Sequence, residues 1–446
     1  MADLPGGLAE LIPAYLGRQR WYAGAGGPGP QGLRVEEARR LWAGPGGRRA
    51  LWWAVVSADG ARYQLLVGER AGGEPAEFLN GHEVAVLGMA GGSYFYDATL
   101  DGELALELLR VASGGAETAE RVRPVSAEQS NTSLVYDDRL ILKVFRRLAE
   151  GANPDVVVTT ALAGAGFAHV AAPLVSWRAN GIDLAFGQEF LAGGSEGWAL
   201  ALTSLRDLYN SATAYPAEAG GDFAAEAARL GRMTAEMHLA LAGALGVASP
   251  EEARRGWVEM VGGFGARVAG AGVAGLARPL MDRLATIAGP GPALRVHGDY
   301  HLGQVMRTDS GWYVLDFEGE PARPLAERAM PSSPLKDVTG MLRSLHYAAR
   351  FALREHLVAD LRHLEAKARA WESHNRQAFL DGYTAVGGVA ALLPDPAVRP
   401  AVLMAYELDK VLYELAYERA YRPDWVPIPL GAVVDLLAGG PPPSDG

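Results

Sequence analysis

The period of the apolar positions changes along the chain, and the change divides it. In residues 1–90 a short amphipathic stretch, Leu8–Leu16, predicts a helix. Apolar runs at 49–56 and 61–67, punctuated by glycine and proline, predict a small sheet with turns. Residues 91–200 read as strands with one helix. Runs at 133–136 and Leu140–Phe145 flank Asp137-Asp138-Arg139, a polar hairpin turn. Asn153-Pro154-Asp155 opens a helix running to Ala165, with asparagine as N-cap and proline at the first helical position. The run from Ile182 to Leu191 predicts another strand. From 201 to 438 the period is helical: 223–245, with Leu230, Met233, Met237 and Leu241 on one stripe, then Leu335–Glu355, 357–382 and 401–421. Two short β-like runs, 294–296 and 313–317, interrupt these helices. The Pro/Gly/Ser-rich 439–446 predicts a disordered tail.

A β-rich amino half followed by a helical carboxyl half with a small β insert predicts an α+β, bilobal, protein-kinase-like architecture. The expected parts are a first unit over 1–90, a β-rich subdomain over 91–200 and a mainly helical lobe over 201–438. Regular βαβ alternation, which a doubly wound sheet requires, is missing.

Composition narrows the class. The chain has 446 residues, 49% hydrophobic and 21% charged, as a folded protein of two or three units would have. A net charge of -11 argues against nucleic acid or an anionic membrane as a general partner. The absence of cysteine excludes disulfides, thiolate metal sites and cysteine nucleophiles. No apolar run approaches a membrane span and the amino end lacks a signal-peptide pattern, so a cytoplasmic location, with a monomer favoured, is the expectation. Of 41 basic residues only Lys143, Lys336, Lys367 and Lys410 are lysines. Lys336 and Lys367 read as chance survivals; Lys143 and Lys410 fall in informative surroundings.

The β insert carries the chemistry. Phosphoryl transfer to a hydroxyl needs a base, metal ligands, a cation on the phosphates and a cradle for them. In His297-Gly298-Asp299-Tyr300-His301-Leu302-Gly303-Gln304, Asp299 is placed as catalytic base and Gln304, five residues on, as a metal ligand. Asp316, in Leu315-Asp316-Phe317-Glu318, supplies a second hard oxygen ligand suited to magnesium (Mg2+), and Glu318 a further carboxylate. A lone His-Gly-Asp would be an ordinary self-capping turn; the whole string is far more specific. Upstream, in kinase order, Lys143 inside an apolar strand is placed on the ATP phosphates; a lone lysine could also be an edge-strand solubility device, but the scarcity of lysine and the downstream motif favour the phosphate role. Ser130, Asn131 and Thr132 sit where a phosphate-covering loop belongs, though a plain polar turn would look the same. Gln188, Glu189 and Leu191 fit the hinge that bonds adenine. No P-loop and no Gly-x-Ser-x-Gly elbow occurs. His297 reads as a brace of the loop. His238, His346, His356, His363 and His374 read as structural or exposed.

With these residues in view the sequence resembles the maltokinase-like family, relatives of the aminoglycoside phosphotransferases. Arg18-Gln19-Arg20-Trp21-Tyr22-Ala23-Gly24 resembles the start of its N-terminal cap subdomain. Glu128 to Ser133 resembles its phosphate loop, and His297 to Gln304 with Asp316 to Pro321 its catalytic and metal segments. Tyr406-Glu407-Leu408-Asp409-Lys410 with Arg422-Pro423-Asp424-Trp425 resembles its carboxyl-terminal helix and tail. The resemblance implies an ATP- and Mg2+-dependent sugar kinase with Asp299 as base, Gln304 and Asp316 on magnesium and Lys143 on phosphate. Asp299, His301, Glu407, Lys410, Glu414 and Trp425 are the expected substrate-side residues, Asp409 being a further acid nearby. Two departures stand out: Val157 occupies the place of the glutamate that pairs with the strand lysine, with Asp155 as a substitute, and Ala25-Gly26-Gly27 follows the cap motif where a basic residue is usual. A glucosamine 6-kinase is favoured over a maltokinase, with an antibiotic-modifying kinase or a catalytically silent binding module as further alternatives.

Overall fold

The computed structural model describes residues 4–24, 27, 29–72, 77–125, 131–320, 323, 325–355 and 361–438. Two compact units result: Met1–Val157 with Ala171–Ala192, and Val158–Val170 with Gly193–Gly446. The expected tail 439–446 lies outside the described residues. No described helix is long and apolar enough to cross a membrane.

The first unit is built on two antiparallel sheets. One runs Arg34–Ala43, Arg49–Ala58, Ala61–Ala71, Ser93–Asp97, Val86–Ala90, with Arg147–Leu148 added to Ala61–Ala71. Its two central strands look continuously apolar because both faces are covered. Leu51, Trp53 and Val55 face one core, while Ala54, Val56 and Ala58 face a second that receives Leu8, Ile12 and Leu16 from the first helix. The other sheet runs Pro173–Ala179, Ile182–Glu189, Leu140–Phe145, Asn131–Tyr136, Val122–Val125. The polar hairpin turn forms as the sequence predicts: Asp137 and Asp138 both lie at φ 50°, as a two-residue turn matched to strand twist requires. Helix Gly102–Ala112, capped by Asp101, contributes Leu104, Leu108 and Leu109 to the core shared by the two sheets. It was not anticipated between 91 and 200, where one helix was expected.

A buried ion pair ties this unit together. Arg146 donates twice to Asp97 (2.9 and 2.7 Å) and once to Thr132 Oγ1 (2.9 Å), while Tyr15 Oη donates to Asp97 (2.5 Å). Burial pushes the Asp97 carboxyl up, but Arg146 and the Tyr15 hydroxyl more than reverse this and hold it below the usual carboxylate range.

The second unit packs the helices Gly197–Asn210, Ala224–Leu245, Leu335–Glu355, Leu361–Thr384 and Arg399–Tyr421 around one core, with the hairpin Val305–Thr308/Gly311–Val314 on its flank. Glycines let the helices meet. A Cβ on Gly231 would overlap the Phe379 carbonyl, and one on Gly382 the Ala228 carbonyl, so helices Ala224–Leu245 and Leu361–Thr384 touch backbone to backbone. Lys367, read as a chance survival, is instead buried and donates to the Leu208 (3.1 Å) and Ser211 (2.6 Å) carbonyls, closing the carboxyl end of helix Gly197–Asn210. The β-like runs shorten. At 294–296 only Leu294 pairs, in isolated bridges to Val247 and Ser332, and the strand expected over 313–317 ends at Val314.

Gly382→Ala should lower stability by about 1–3 kcal/mol through overpacking. Gly387→Ala, where nothing stands within 4 Å of the added methyl, should not. Urea midpoints of the two variants check this.

Candidate active site

In the second unit the loop 297–304 is pinned from below. Asp337, in the first turn of Leu335–Glu355, accepts from the amides of His297 (2.8 Å) and Gly298 (2.9 Å) and hydrogen-bonds His238 Nε2 (3.1 Å), whose Nδ1 meets Tyr383 Oη (2.9 Å). His297 is saturated: Nε2 meets the Leu315 carbonyl (2.9 Å) and Nδ1 accepts the Asp299 amide (3.3 Å), which the Nε2–H tautomer satisfies. Tyr300 Oη pairs with Thr234 Oγ1 (2.9 Å), and the Leu302 amide donates to Ser344 Oγ (3.0 Å). A Cβ on Gly340 would overlap the Tyr300 carbonyl, so the helix lies directly under the loop. His297 is therefore the brace the sequence predicts; His238 and Asp337 complete it.

Asp299 emerges from this frame with its side chain 17% exposed. Lys410 Nζ donates to Asp299 Oδ1 (2.9 Å) and to Glu320 Oε1 (2.9 Å), and stands 5.1 Å from the centre of the Tyr413 ring. Arg323 pairs with Glu320 and donates to Asp409 (3.0 Å), which also receives Arg267 (2.6 Å). His301 Nε2 lies 3.9 Å from Asp299 Oδ2, and its Nδ1 accepts the Gly303 amide (3.0 Å). Burial alone would raise the Asp299 pKa. The Lys410 ammonium overcomes it, with help from His301, and holds the carboxyl well below the usual carboxylate range. Burial lowers His301. Lys410 would be lowered by burial, but the two carboxylates push it well above an ordinary lysine.

The hairpin register brings the two expected metal ligands together. Val305 pairs with Val314, and the Leu315 amide donates to the Gln304 carbonyl (2.9 Å), so Gln304 and Asp316 leave the same end of the hairpin. Asp316 sits at φ 57°, a left-handed turn that ends the strand early and that aspartate tolerates. Carboxylate oxygens of Asp316 and Glu318 come within 4.8 Å of each other. These are hard oxygen donors of the kind magnesium takes, and the Gln304 side chain would add an amide oxygen from the same end of the hairpin.

The remaining substrate-side residues are engaged elsewhere in the helical lobe. Glu407 is buried and gripped twice by Arg376 (2.9 and 3.2 Å), Glu414 by Arg343 (2.8 Å). Trp425 stacks against Phe351 and Tyr347, with centroids 5.2 and 6.3 Å apart. Their hydrogen bonds, ion pairs and ring contacts go to residues other than Asp299, His301 and Lys410.

In the first unit, Lys143 lies on the central strand of the five-stranded sheet, opposite Ser133 and Phe186, so it is no edge-strand device. Its Nζ is 3.4 Å from Asp155 Oδ2. Asp155 is 3% exposed at the start of helix Pro154–Gly164, where the Asn153 side chain accepts its amide (2.8 Å), while Val157 is 40% exposed. The carboxylate missing at 157 is thus supplied at 155. Asn131 begins its strand; the Thr132 hydroxyl oxygen accepts from Arg146 Nε. Ser130 lies outside the described residues. Of the hinge residues, Gln188 pairs with Ile141, and the Glu189 amide is taken by the Ala172 carbonyl (2.9 Å). The Leu191 amide has no backbone partner among the described residues.

Two family models match the chain. The maltokinase N-terminal cap domain covers residues 15–101, and the phosphotransferase enzyme family covers 121–374. The chain belongs to the phosphotransferase enzyme family. Two curated relatives in it carry the name glucosamine kinase. One, from Streptacidiphilus jiangxiensis, is 30% identical over 412 residues, 86% of this chain and 87% of its own length. The other, from Mycolicibacterium smegmatis, is 30% identical over 345 residues, 74% and 82% of the two chains. A crystal structure of a glucosamine kinase superposes with TM-score 0.70 at 26% identity over 97% of this chain and all of that one. Another, in complex with glucosamine, ADP and inorganic phosphate, superposes at 0.69 with 24% identity over 98% and 100%, and shares the fold. The family members thus span this chain from cap to carboxyl-terminal helices.

Two measurements probe the geometry. Asp337→Ala should cost on the order of 3 kcal/mol, because two loop amides and His238 lose a charged acceptor, and should lower kcat with it. Thermal melts and turnover on one preparation check both. Lys410→Met should leave burial to dominate at Asp299. Its pKa then rises and the ionised form is lost at higher pH on acidification. The acid limb of kcat/KM against pH should move upward, whereas Lys410→Arg should leave it near the wild-type position.

Proposed function

We propose that this protein is an ATP- and magnesium-dependent glucosamine kinase that transfers the γ-phosphoryl group to the 6-hydroxyl of glucosamine. The observation that carries the reading is the buried Asp299–Lys410–Glu320 array, in which Lys410 of helix Arg399–Tyr421 bridges the two acids that flank the hairpin, within a chain that two relatives named glucosamine kinase match over 86% and 74% of its length.

Each residue then has a task. Asp299 accepts a hydrogen bond from the sugar hydroxyl and takes its proton as the phosphoryl group departs from ADP. Lys410 keeps Asp299 ionised and fixes Oδ1, leaving Oδ2 for the substrate; it acts as a positioning residue rather than as a sugar ligand. His301, beside Oδ2, is assigned to the sugar. Gln304 and Asp316 hold magnesium, with Glu318 adjacent; when bound, the ion neutralises charge on the phosphates. Lys143, oriented by Asp155, is assigned to the phosphates, as are Ser130, Asn131 and Thr132. Gln188, Glu189 and Leu191 are assigned to the adenine side, where the unpaired Leu191 amide offers a donor. Glu407, Glu414 and Trp425 act through the helices they lock. Residues 1–90, 91–200 and 201–438 correspond to cap, nucleotide-side subdomain and helical lobe on this reading. A monomer in the cytoplasm is the matching state.

Release of ADP across glucosamine, maltose, glucose and aminoglycosides tests it. Glucosamine should give the highest kcat/KM and phosphorus NMR should show a 6-phosphate. A preference for maltose with a 1-phosphate product would replace the reading by the maltokinase one. Asp299→Asn should lower kcat by at least about 10³-fold while ATP still binds.

A further inference from the structure

The hairpin that carries Gln304 and Asp316 at one end has a second charged site at the other. A cavity of about 250 Å³ opens there, floored by Met233 and Trp312 and walled by Arg229, Arg232, Arg307 and His169, with Glu236 also among its lining. It is built wholly within the second unit: helix Ala224–Leu245, the two strands and the segment before Val170.

Three guanidiniums converge on a space this small in a chain of net charge -11. A like-charge cluster costs energy unless something organises it. Glu226 does so. Its carboxylate takes Arg307 Nε (3.1 Å), Arg229 and Trp312 Nε1 (2.8 Å), so a buried indole fixes the anion and the anion fixes two arginines. Arg307 also donates to the Thr308 carbonyl. One carboxylate so shared leaves further N–H donors on Arg229 and Arg307. Arg232 makes no hydrogen bond or ion pair among the described residues. His169 is oriented too: Nδ1 meets the Trp312 carbonyl (2.8 Å), which turns Nε2 outward, 3.7 Å from Glu236. The only other carboxylate at the lining, Glu236, is 42% exposed. An ordinary surface ion-pair set would pair acids and bases one to one around no cavity. Here the bases are in excess, face a concave space and rest on an aromatic and a thioether.

We propose that this cavity binds a phosphoryl dianion, as inorganic phosphate or as the phosphate monoester of a small sugar. Planar guanidiniums match phosphate oxygens with paired N–H donors. The cavity is below the roughly 300–1,000 Å³ of sites for larger ligands, so it suits a phosphate with a small appendage rather than a nucleotide.

Arg229 and Arg232 are exposed on the helix and lie outside the catalytic array, so Arg229→Ala/Arg232→Ala should fold and keep its kcat/KM for glucosamine in phosphate-free buffer. Titration calorimetry with inorganic phosphate and with glucose 6-phosphate, on wild type, this double variant and Arg232→Glu, separates the sources. Loss of two charged contacts in the double variant, or reversal of one charge in Arg232→Glu, should weaken the tighter of the two probes by at least about tenfold. Binding equal in all three proteins, or no binding of either probe to wild type up to about 10 mM, overturns the proposal. The readout needs no turnover, so it stands or falls separately from the kinase reading.

Discussion

A lysine ammonium held between two buried carboxylates organises the helical lobe. Taking Lys410, Asp299 and Glu320 out of water costs several kcal/mol per charge, which only close mutual pairing recovers. At 2.9 Å to each carboxylate, Lys410 supplies that pairing, and Arg323 on Glu320 carries the net balance on to Asp409 and Arg267. Removing any one charge would strand its neighbours. The same pairing explains how a buried aspartate stays ionised. A base with such a depressed pKa is a weak proton acceptor in the ground state. On the proposed assignment of Asp299 as base, that suits a reaction with a loose transition state, in which the hydroxyl proton moves late and orientation of the nucleophile matters more than basicity.

The charge chain would be useless on a mobile loop. Asp337 solves this by accepting from the consecutive backbone amides of His297 and Gly298 and by bonding His238, whose other nitrogen reaches Tyr383. Gly340 brings the same helix against the Tyr300 carbonyl. Helix Leu335–Glu355 thus sets the height of the loop, helix Arg399–Tyr421 supplies Lys410, and the hairpin fixes Gln304 and Asp316. The lobe brings together residues more than a hundred positions apart, and each is placed by an element whose own position depends on core packing.

What could be read in the sequence follows from this. Asp299, Gln304 and Asp316 fall in a short string, so the sequence could single them out together, and the hairpin register places Gln304 and Asp316 at one end of it. Helices Leu8–Leu16 and Leu335–Glu355 carry uninterrupted apolar stripes and were predicted to the residue. The Asp155 substitution for Val157 was readable as an option, since both lie in the first turns of one helix; burial decided between them. Asp337 and Glu320 gave no comparable signal. Asp337 looks like any acid in a first helical turn, and only the folded chain shows that its oxygens face amides 39 and 40 positions upstream. The strand expected to reach Phe317 stops at Val314 because Asp316 adopts a left-handed backbone conformation, which a hydrophobic pattern cannot encode.

Recognition of an amino sugar illustrates the same limit from the other side. Acids on helix Arg399–Tyr421 invite the thought that an ammonium group meets Glu407, Asp409 or Glu414. Each is already opposite a guanidinium: Arg376, Arg267 with Arg323, and Arg343. A carboxylate paired in this way has little attraction left for a further cation, and displacing an arginine to provide it would leave that buried or half-buried guanidinium without its carboxylate. Asp299 differs, because Lys410 and the His297 brace constrain Oδ1 and the backbone, while Oδ2 lies 3.9 Å from His301 Nε2. Under the proposed assignment of Asp299 as base, recognition of glucosamine draws on Asp299 itself rather than on acids already held by arginines.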